Sequence, residues 1–342
     1  MAKTNTDLEK IAKSLWSKFS IQEILELKKI PVGFKNKSYF IKSADNKEYV
    51  LKIYAQDFLT KSQIEERGKI VKKLEKSGIP VLEMVIGLDG NFAQEVKDDK
   101  AVYLGTLSKY IEVPFSEMQV DKNIVVNTAQ ELKRLHGELN KISYSNNFKT
   151  LNIKELLKSF LEKDSVNKIT EYFENNRARI NRLDEFLDFY KKEGGKLLKY
   201  FNDKSNSDKN QLNHGDFNLN NFLVENGKIL KIFDFDEMLI APKTFEIAIS
   251  VYQLDYAEEI YTDELLEIFL KTYYEKSEIT QKIIEEVLHF MKYRAFYRLA
   301  RYFTYYQYTD SPGGHFTKFR RILENFNRID SNELYQIVKF EK

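Results

Sequence analysis

The segment from Asn213 to Glu237, NHGDFNLNNFLVENGKILKIFDFDE, constrains this chain more than any other part of it. Its centre holds Asn226-Gly227, the dipeptide favoured in two-residue hairpin turns because both turn positions need positive φ. Aromatic and β-branched residues flank the turn, Phe222 to Val224 before it and Ile229 to Phe233 after it, so two short strands are predicted. A hairpin returns the chain to its starting edge. Asp234 should therefore lie near Asn221, thirteen residues before it, and Asp216 precedes Asn221 by another five. Two carboxylates and an amide oxygen at one hairpin mouth suit a hard, oxygen-preferring cation such as Mg2+. Magnesium keeps waters and shares substrate phosphates, so two protein ligands suffice and Asp216 is left to face a substrate hydroxyl.

Around this hairpin the chain reads in two parts. Leu8, Ile11, Ala12, Leu15, Trp16 and Phe19 recur at helical spacing. Short strand-like runs, SYFIK and EYVLKIY, follow between turn residues. Residues 61–77 predict a helix with an apolar stripe, stopped at Gly78-Ile79-Pro80, and further strands end near 101–113. Beyond Pro114 the pattern becomes helical, with a clear amphipathic helix at 122–140, helical Lys/Glu-rich segments from 152 to 200, and a polar loop at 202–211. The last hundred residues are helical and rich in Tyr and Phe, as in RAFYRLARYFTYYQY. Two domains are expected, 1–113 and 114–342, the first strand-rich and the second mainly helical, and 342 residues is ample length for both.

Asp-x-x-x-x-Asn followed by a hairpin and an Asp is the layout of phosphoryl transfer, where one Asp orients the attacking hydroxyl while an Asn and a second Asp hold metal. HGDFNLNN resembles the His-Gly-Asp-x-x-x-x-Asn catalytic loop of the aminoglycoside phosphotransferases, choline kinases and homoserine kinase-like enzymes. IFDFDE is similar to the metal motif that follows it there, and the resemblance extends over about residues 20–255. It implies an α+β, bilobal, protein-kinase-like fold with a small antiparallel-sheet N-lobe and a larger, mainly helical C-lobe. It also implies an ATP- and Mg2+-dependent transfer of the γ-phosphate to a hydroxyl of a small molecule: a sugar, amino sugar, amino alcohol, hydroxy-amino acid or aminoglycoside. Carried over by motif, Asp216 is catalytic, and Asn221 and Asp234 are the metal ligands. His214 supports the loop, and Asp236 adds charge beside it. Lys52, in EYVLKIY, takes the place of the lysine over the nucleotide phosphates. Glu66 on the following helix is expected to pair with it, Glu65 being the alternative because helix phase is not fixed by sequence. Lys109, Tyr110 and Ile111 fall on the interlobe hinge, where backbone meets adenine. Glu246 stands where the family usually has an Asp after the metal motif.

Other classes are excluded or disfavoured. There is no cysteine, hence no disulfide, thiolate nucleophile or cysteine-bound zinc, and no two of the four histidines have the His-x-x-x-His spacing of zinc hydrolases. The net charge of +2 and the alternation of acids and bases give no stripe for nucleic acid. No run is long and apolar enough for a membrane span, and the first residues lack a signal-peptide core, so a cytoplasmic address is expected, while the small-molecule partner is what the resemblance implies. Two rival functions share this fold. A protein Ser/Thr kinase should carry a Gly-x-Gly-x-x-Gly loop and an Ala-Pro-Glu segment, whereas GFKNKS has a single glycine. A non-catalytic, nucleotide-binding or structural protein has no need of Lys52, Asp216, Asn221 and Asp234 together. Taken singly, Lys52 would pass for a solvated strand lysine, Glu66 for a surface helix glutamate and His136 for a hydrogen-bonded core histidine. Tyr293, Tyr297 and Tyr305, with Arg294, Arg298 and Arg301, read mainly as helix packing, with an acceptor pocket as the functional alternative. The acceptor's identity, ATP against GTP and the oligomeric state are open at this stage.

Overall fold

The structure, a computed structural model, describes residues 5–31, 36–56, 58–98, 101–112, 121–175, 183–203, 209–255, 262–301, 321, 324, 326–329 and 331–339. It divides into two compact units: Met1–Met118 with Gly137–Lys149 and Asn221–Met238, and Gln119–His136 with Thr150–Asn220 and Leu239–Lys342.

In the first unit, α1 (Asn5–Phe19) precedes a sheet made of β1 (Ile24–Ile30), β2 (Lys37–Ser43), β3 (Glu48–Ile53), β4 (Met84–Val85), β5 (Gln94–Lys97) and β6 (Val102–Lys109). The order is β1-β2-β3-β6-β4, β5 also pairs with β6, and every pairing is antiparallel. Alternation along the strands turns Tyr39, Ile41, Leu51, Ile53 and Leu107 to one face, where the apolar stripe of α1 (Ile11, Ala12, Leu15, Trp16, Phe19) covers them. Between β3 and β4 runs α2 (Lys61–Lys76), opened by a Thr60/Gln63 capping box.

The predicted hairpin is present as β8 (Phe222–Glu225) and β9 (Lys228–Ile232). Asn226 and Gly227 sit at φ 50° and 70°, the double positive-φ turn that matches strand twist. The Ile232 amide donates to the Pro80 carbonyl at 2.7 Å and the Leu82 amide to the Ile232 carbonyl at 2.9 Å. These bonds group the hairpin with the N-terminal sheet, although it lies far along the chain.

The second unit is mainly helical: α3 (Lys122–Leu139, its last turn in the first unit), α4 (Ile153–Leu161), α5 (Lys163–Asn175), α6 (Leu183–Asp203), α7 (Lys243–Asp255), α8 (Thr262–Tyr273), α9 (Gln281–Arg301) and α10 (Ser331–Lys339). A two-stranded ladder pairs β7 (Asn210–Asn213) with β10 (Leu239–Pro242). The polar loop expected at 202–211 is shorter than expected, because α6 runs to Asp203 and β7 begins at Asn210, with 204–208 outside the described residues. Helix α9 is buried over most of its circumference, including Ile284, Val287, Met291, Ala295, Phe296 and Leu299, so it forms the middle of this unit's core. Of the Tyr cluster, Tyr293 is buried and Tyr297 half-buried on α9, and Tyr305 lies outside the described residues.

Candidate active site

The first unit gathers charge at the end of the hairpin. The Lys52 ammonium, projecting from β3, donates to Asp234 Oδ1 at 2.8 Å and to Asp236 Oδ2 at 2.9 Å. Asp236 is buried and also accepts from Asn36 Nδ2 at 2.9 Å and from the Tyr54 hydroxyl at 3.0 Å. Burial by itself would drive Lys52 toward neutrality, but Asp236 and Asp234 outweigh it and hold its pKa above the ordinary lysine value. Burial pushes the Tyr54 hydroxyl up, and the Asp236 charge adds to this. Lys52 is therefore a permanent cation in a fixed place, as a phosphate-binding lysine must be.

Asp234 adopts φ 64° and ψ 61°, left-handed backbone that a non-glycine residue enters only under constraint. The Phe233 amide, one residue earlier, donates to the Asn221 carbonyl at 3.0 Å, so the backbones of the two expected metal ligands are tied across the hairpin mouth. No group of three or more His, Asp or Glu side chains placed to hold a metal ion occurs among the described residues. A single carboxylate with an amide oxygen is the donor set of a magnesium ion that completes its shell with phosphate and water, and Asn221 and Asp234 fit it.

The expected pairing of Lys52 with Glu66 needs correction. Glu66 accepts from the Ser145 amide at 2.6 Å, the Ser145 hydroxyl at 2.5 Å and Asn147 Nδ2 at 2.8 Å. Glu65 accepts from the amides of Phe92 and Ala93 at 2.7 and 3.0 Å. Helix phase is the cause: the α2 residue turned toward the metal motif is Arg67. Its Nε donates to the Asp236 carbonyl and its Nη2 to the Met238 carbonyl, both at 3.2 Å, and its guanidinium lies 4.8 Å from the Phe148 ring centre. Asp236 takes the place expected of Glu66. Arg67 has no sequence signature of its own, and the doubled Asp of IFDFDE was the only hint of Asp236.

Glu66 thus anchors the 145–147 segment to α2. Burial raises its pKa, but the bonds from Ser145 and Asn147 outweigh this and hold it below the ordinary 4.5. A depressed carboxylate stabilises the fold above its unfolded pKa, and that contribution disappears as pH falls through the folded value. We predict that Glu66→Gln flattens the acid side of the thermal-stability profile below about pH 5, by about 1 kcal/mol or less because the group is partly exposed. Melting curves against pH would show this, with nucleotide affinity unchanged. A weakening of nucleotide binding as large as that of Lys52→Ala, measured beside it, would restore the original pairing.

The second unit holds the His-Gly-Asp loop. Glu246, fully buried on α7, accepts from the His214 amide at 2.9 Å and the Gly215 amide at 2.5 Å. Its Oε2 also lies 3.0 Å from His136 Nε2, whose Nδ1 is 2.6 Å from the Tyr273 hydroxyl. A neutral His136 that donates from Nε2 and accepts from Tyr273 satisfies both. Its expected role as a buried, hydrogen-bonded histidine matches this geometry, and the longer Glu in place of Asp spans the distance to both amides. Gly215 sits at φ 86°, where a side chain would strain the backbone. The loop is pinned further by Asp216 N to His214 Nδ1 (3.3 Å), Asn218 Nδ2 to the Asp216 carbonyl (2.9 Å) and the Ser250 hydroxyl to the Phe217 carbonyl (2.8 Å). The Asp216 carboxylate accepts from Arg294 Nη2 of α9 at 2.7 Å. Arg294 lies in the Tyr/Arg cluster, but its tie to Asp216 joins two distant segments and could not be read from spacing.

The sequence profile of the phosphotransferase enzyme family (APH) matches residues 26–280, well over half of the chain. The chain belongs to this family. By that family it is a phosphotransferase. The phosphotransferase shares its α+β, protein-kinase-like fold with solved structures of low identity. An amicoumacin kinase, hAmiN, in complex with AMP-PNP, Ca2+ and Ami, has TM-score 0.72 and 16% identity over 97% of this chain and 100% of that one. A microcompartment-associated aminopropanol kinase has TM-score 0.68 and 14% identity over 97% and 99%. The choline kinase LicA from Streptococcus pneumoniae has TM-score 0.62 and 15% identity over 94% and 100%. No curated protein matches the phosphotransferase by sequence.

Proposed function

We propose that this phosphotransferase moves the γ-phosphoryl group of ATP to a hydroxyl of a small molecule, with Mg2+ as the metal. The observation that carries this reading is Lys52 clamped by Asp234 and Asp236 at 2.8 and 2.9 Å, a fixed cation beside the expected metal ligand. Lys52 would bind the α- and β-phosphates. Asn221 and Asp234 would hold magnesium, which supplies charge neutralisation at the phosphates when bound. The amides of Lys109 and Tyr110 donate to the Glu83 and Glu48 carbonyls, each at 3.0 Å. Adenine contacts in this segment would therefore use its carbonyl oxygens and Ile111. Asp216 would orient the acceptor hydroxyl and take its proton as the hydroxyl oxygen bonds to the γ-phosphorus and the bond from that phosphorus to the departing ADP oxygen breaks. Its loop, braced by Glu246, holds that carboxylate in place before substrate arrives, and positioning of this kind supplies most of the rate in phosphoryl transfer.

The test is ATP binding and ADP release with and without Mg2+, across amino alcohols, sugars, hydroxy-amino acids and aminoglycosides. Magnesium-dependent binding, with ADP release that requires one class of alcohol, is expected. Binding without ADP release for every alcohol would favour a non-catalytic nucleotide-binding protein. Absence of ATP binding would remove the roles given to Lys52 and Asp234 together.

A further inference from the structure

We propose that the acceptor carries an anionic group, a carboxylate or a phosphate, recognised by the arginine face of α9 and chiefly by Arg294. This rests on the phosphotransfer reading above, in which Asp216 receives the acceptor hydroxyl. Arg294, Arg298 and Arg301 stand at i, i+4 and i+7 and so share one side of the helix. Arg294 touches Asp216 directly, at 2.7 Å. Any acceptor whose hydroxyl reaches Asp216 therefore meets a guanidinium as its next neighbour.

The chemistry of that neighbour selects by charge. A carboxylate or phosphate offers acceptor oxygens that match the planar donor fork of arginine, whereas an ammonium, itself only a donor, offers it none. Among the described residues, an aromatic cage for an ammonium is also poorly provided on this face. The Tyr297 ring already faces Arg294 at 5.9 Å and Arg301 at 5.5 Å, and the Tyr252 ring faces Arg298 at 5.8 Å. Among the described residues, the cation–π positions of Tyr297 and Tyr252 are thus taken by the protein's own guanidinium groups. Among their contacts with described residues, Arg298 Nη1 donates to Gln253 Oε1 at 3.0 Å, and Arg301 Nη1 to the Tyr297 hydroxyl at 2.7 Å. The three arginines are half-buried, so their charge is less screened than on an open surface. Arg294 Nε is buried without a hydrogen-bond partner among the described residues. An orphan donor beside a reactive carboxylate is the signature of a group that completes its bonding when a ligand arrives or the side chain shifts toward one.

Thermal unfolding of the full chain, with Mg2+ and AMP-PNP at constant ionic strength, tests this with four three-carbon alcohols: glycerate, glycerol 3-phosphate, glycerol and aminopropanol. Choline serves as a fifth ligand. AMP-PNP should raise Tm alone. Glycerate or glycerol 3-phosphate should raise it further, and which of the two does so separates a carboxylate site from a phosphate site. Aminopropanol and choline should not raise it. Arg294→Gln should weaken the responding anion about 10- to 100-fold, the loss of one or two charge-assisted bonds. Arg298→Gln, which leaves the contact with Asp216 intact, guards against misfolding of the first variant and should weaken the same anion. A larger shift with either cationic alcohol than with both anions, or no shift with either anion, overturns the proposal. Failure of AMP-PNP to shift Tm would instead strike the phosphotransfer reading, whatever the alcohols do.

Discussion

Asp216→Asn should lower kcat about 10²- to 10⁴-fold, the usual contribution of a positioned proton acceptor, while magnesium-nucleotide affinity changes by about twofold or less. The substitution is nearly isosteric. The loop bonds among the described residues run through the backbone of Asp216 and through His214, Asn218 and Glu246 rather than through the Asp216 carboxylate. The Asn oxygen can still accept from Arg294, so the arginine keeps a partner. What is lost is the charge that receives the hydroxyl proton. Lys52, Asp234 and Asp236 form a separate hydrogen-bonded set, and nucleotide binding through them should survive. Steady-state kinetics with the responding alcohol, beside a nucleotide titration, distinguish the outcomes. An Asn variant that turns over at the wild-type rate would show that Asp216 is not the group that takes the proton. Equal loss of turnover and of nucleotide affinity would point to a collapsed loop.

What could be read in advance was local. The Asn226-Gly227 turn, the strand alternation around Lys52 and the stripe of α1 each depend on residues within a few positions of one another, where steric rules act directly. The order of elements followed from such signals, and the loop and metal-motif residues stood out because their spacing is short. Contacts between distant segments were not legible. Glu65, Glu66 and Arg67 are consecutive, and one helical step of about 100° decides which of them faces the metal motif. Sequence gives that phase only to within a residue, so Lys52 was assigned a partner on α2 and has one at Asp236. The bonds of Arg294 with Asp216 and of His136 with Glu246 span 78 and 110 positions, and no periodicity encodes them. The acceptor's charge lies in the same category, because it depends on which tyrosine faces the arginines have already taken.

Glu246→Ala should destabilise the His-Gly-Asp loop by about 3–5 kcal/mol, as removal of a buried charged acceptor does elsewhere. The side chain is fully buried, and its two oxygens serve two backbone amides and His136 Nε2. Alanine would leave all three donors in a space too dry to satisfy them, and each orphan costs about 1–3 kcal/mol. The chain has two compact units, so global unfolding is a blunt readout and local opening is the sharper one. Amide exchange in a peptide covering His214 and Gly215 should accelerate about 10²- to 10⁴-fold, while exchange in α1 and the sheet it covers stays unchanged. Glu246→Gln should fall between, since a single amide oxygen can accept from one loop amide while its NH2 group opposes the other. Glu246→Asp keeps the charge but shortens the arm, so it should retain one amide and lose the other unless α7 shifts. Exchange of His214 and Gly215 at the wild-type rate in the Ala variant would mean that the loop is held by its other bonds, those of Ser250 and Asn218 among them. In that case Asp216 would owe its position to those bonds and to Arg294.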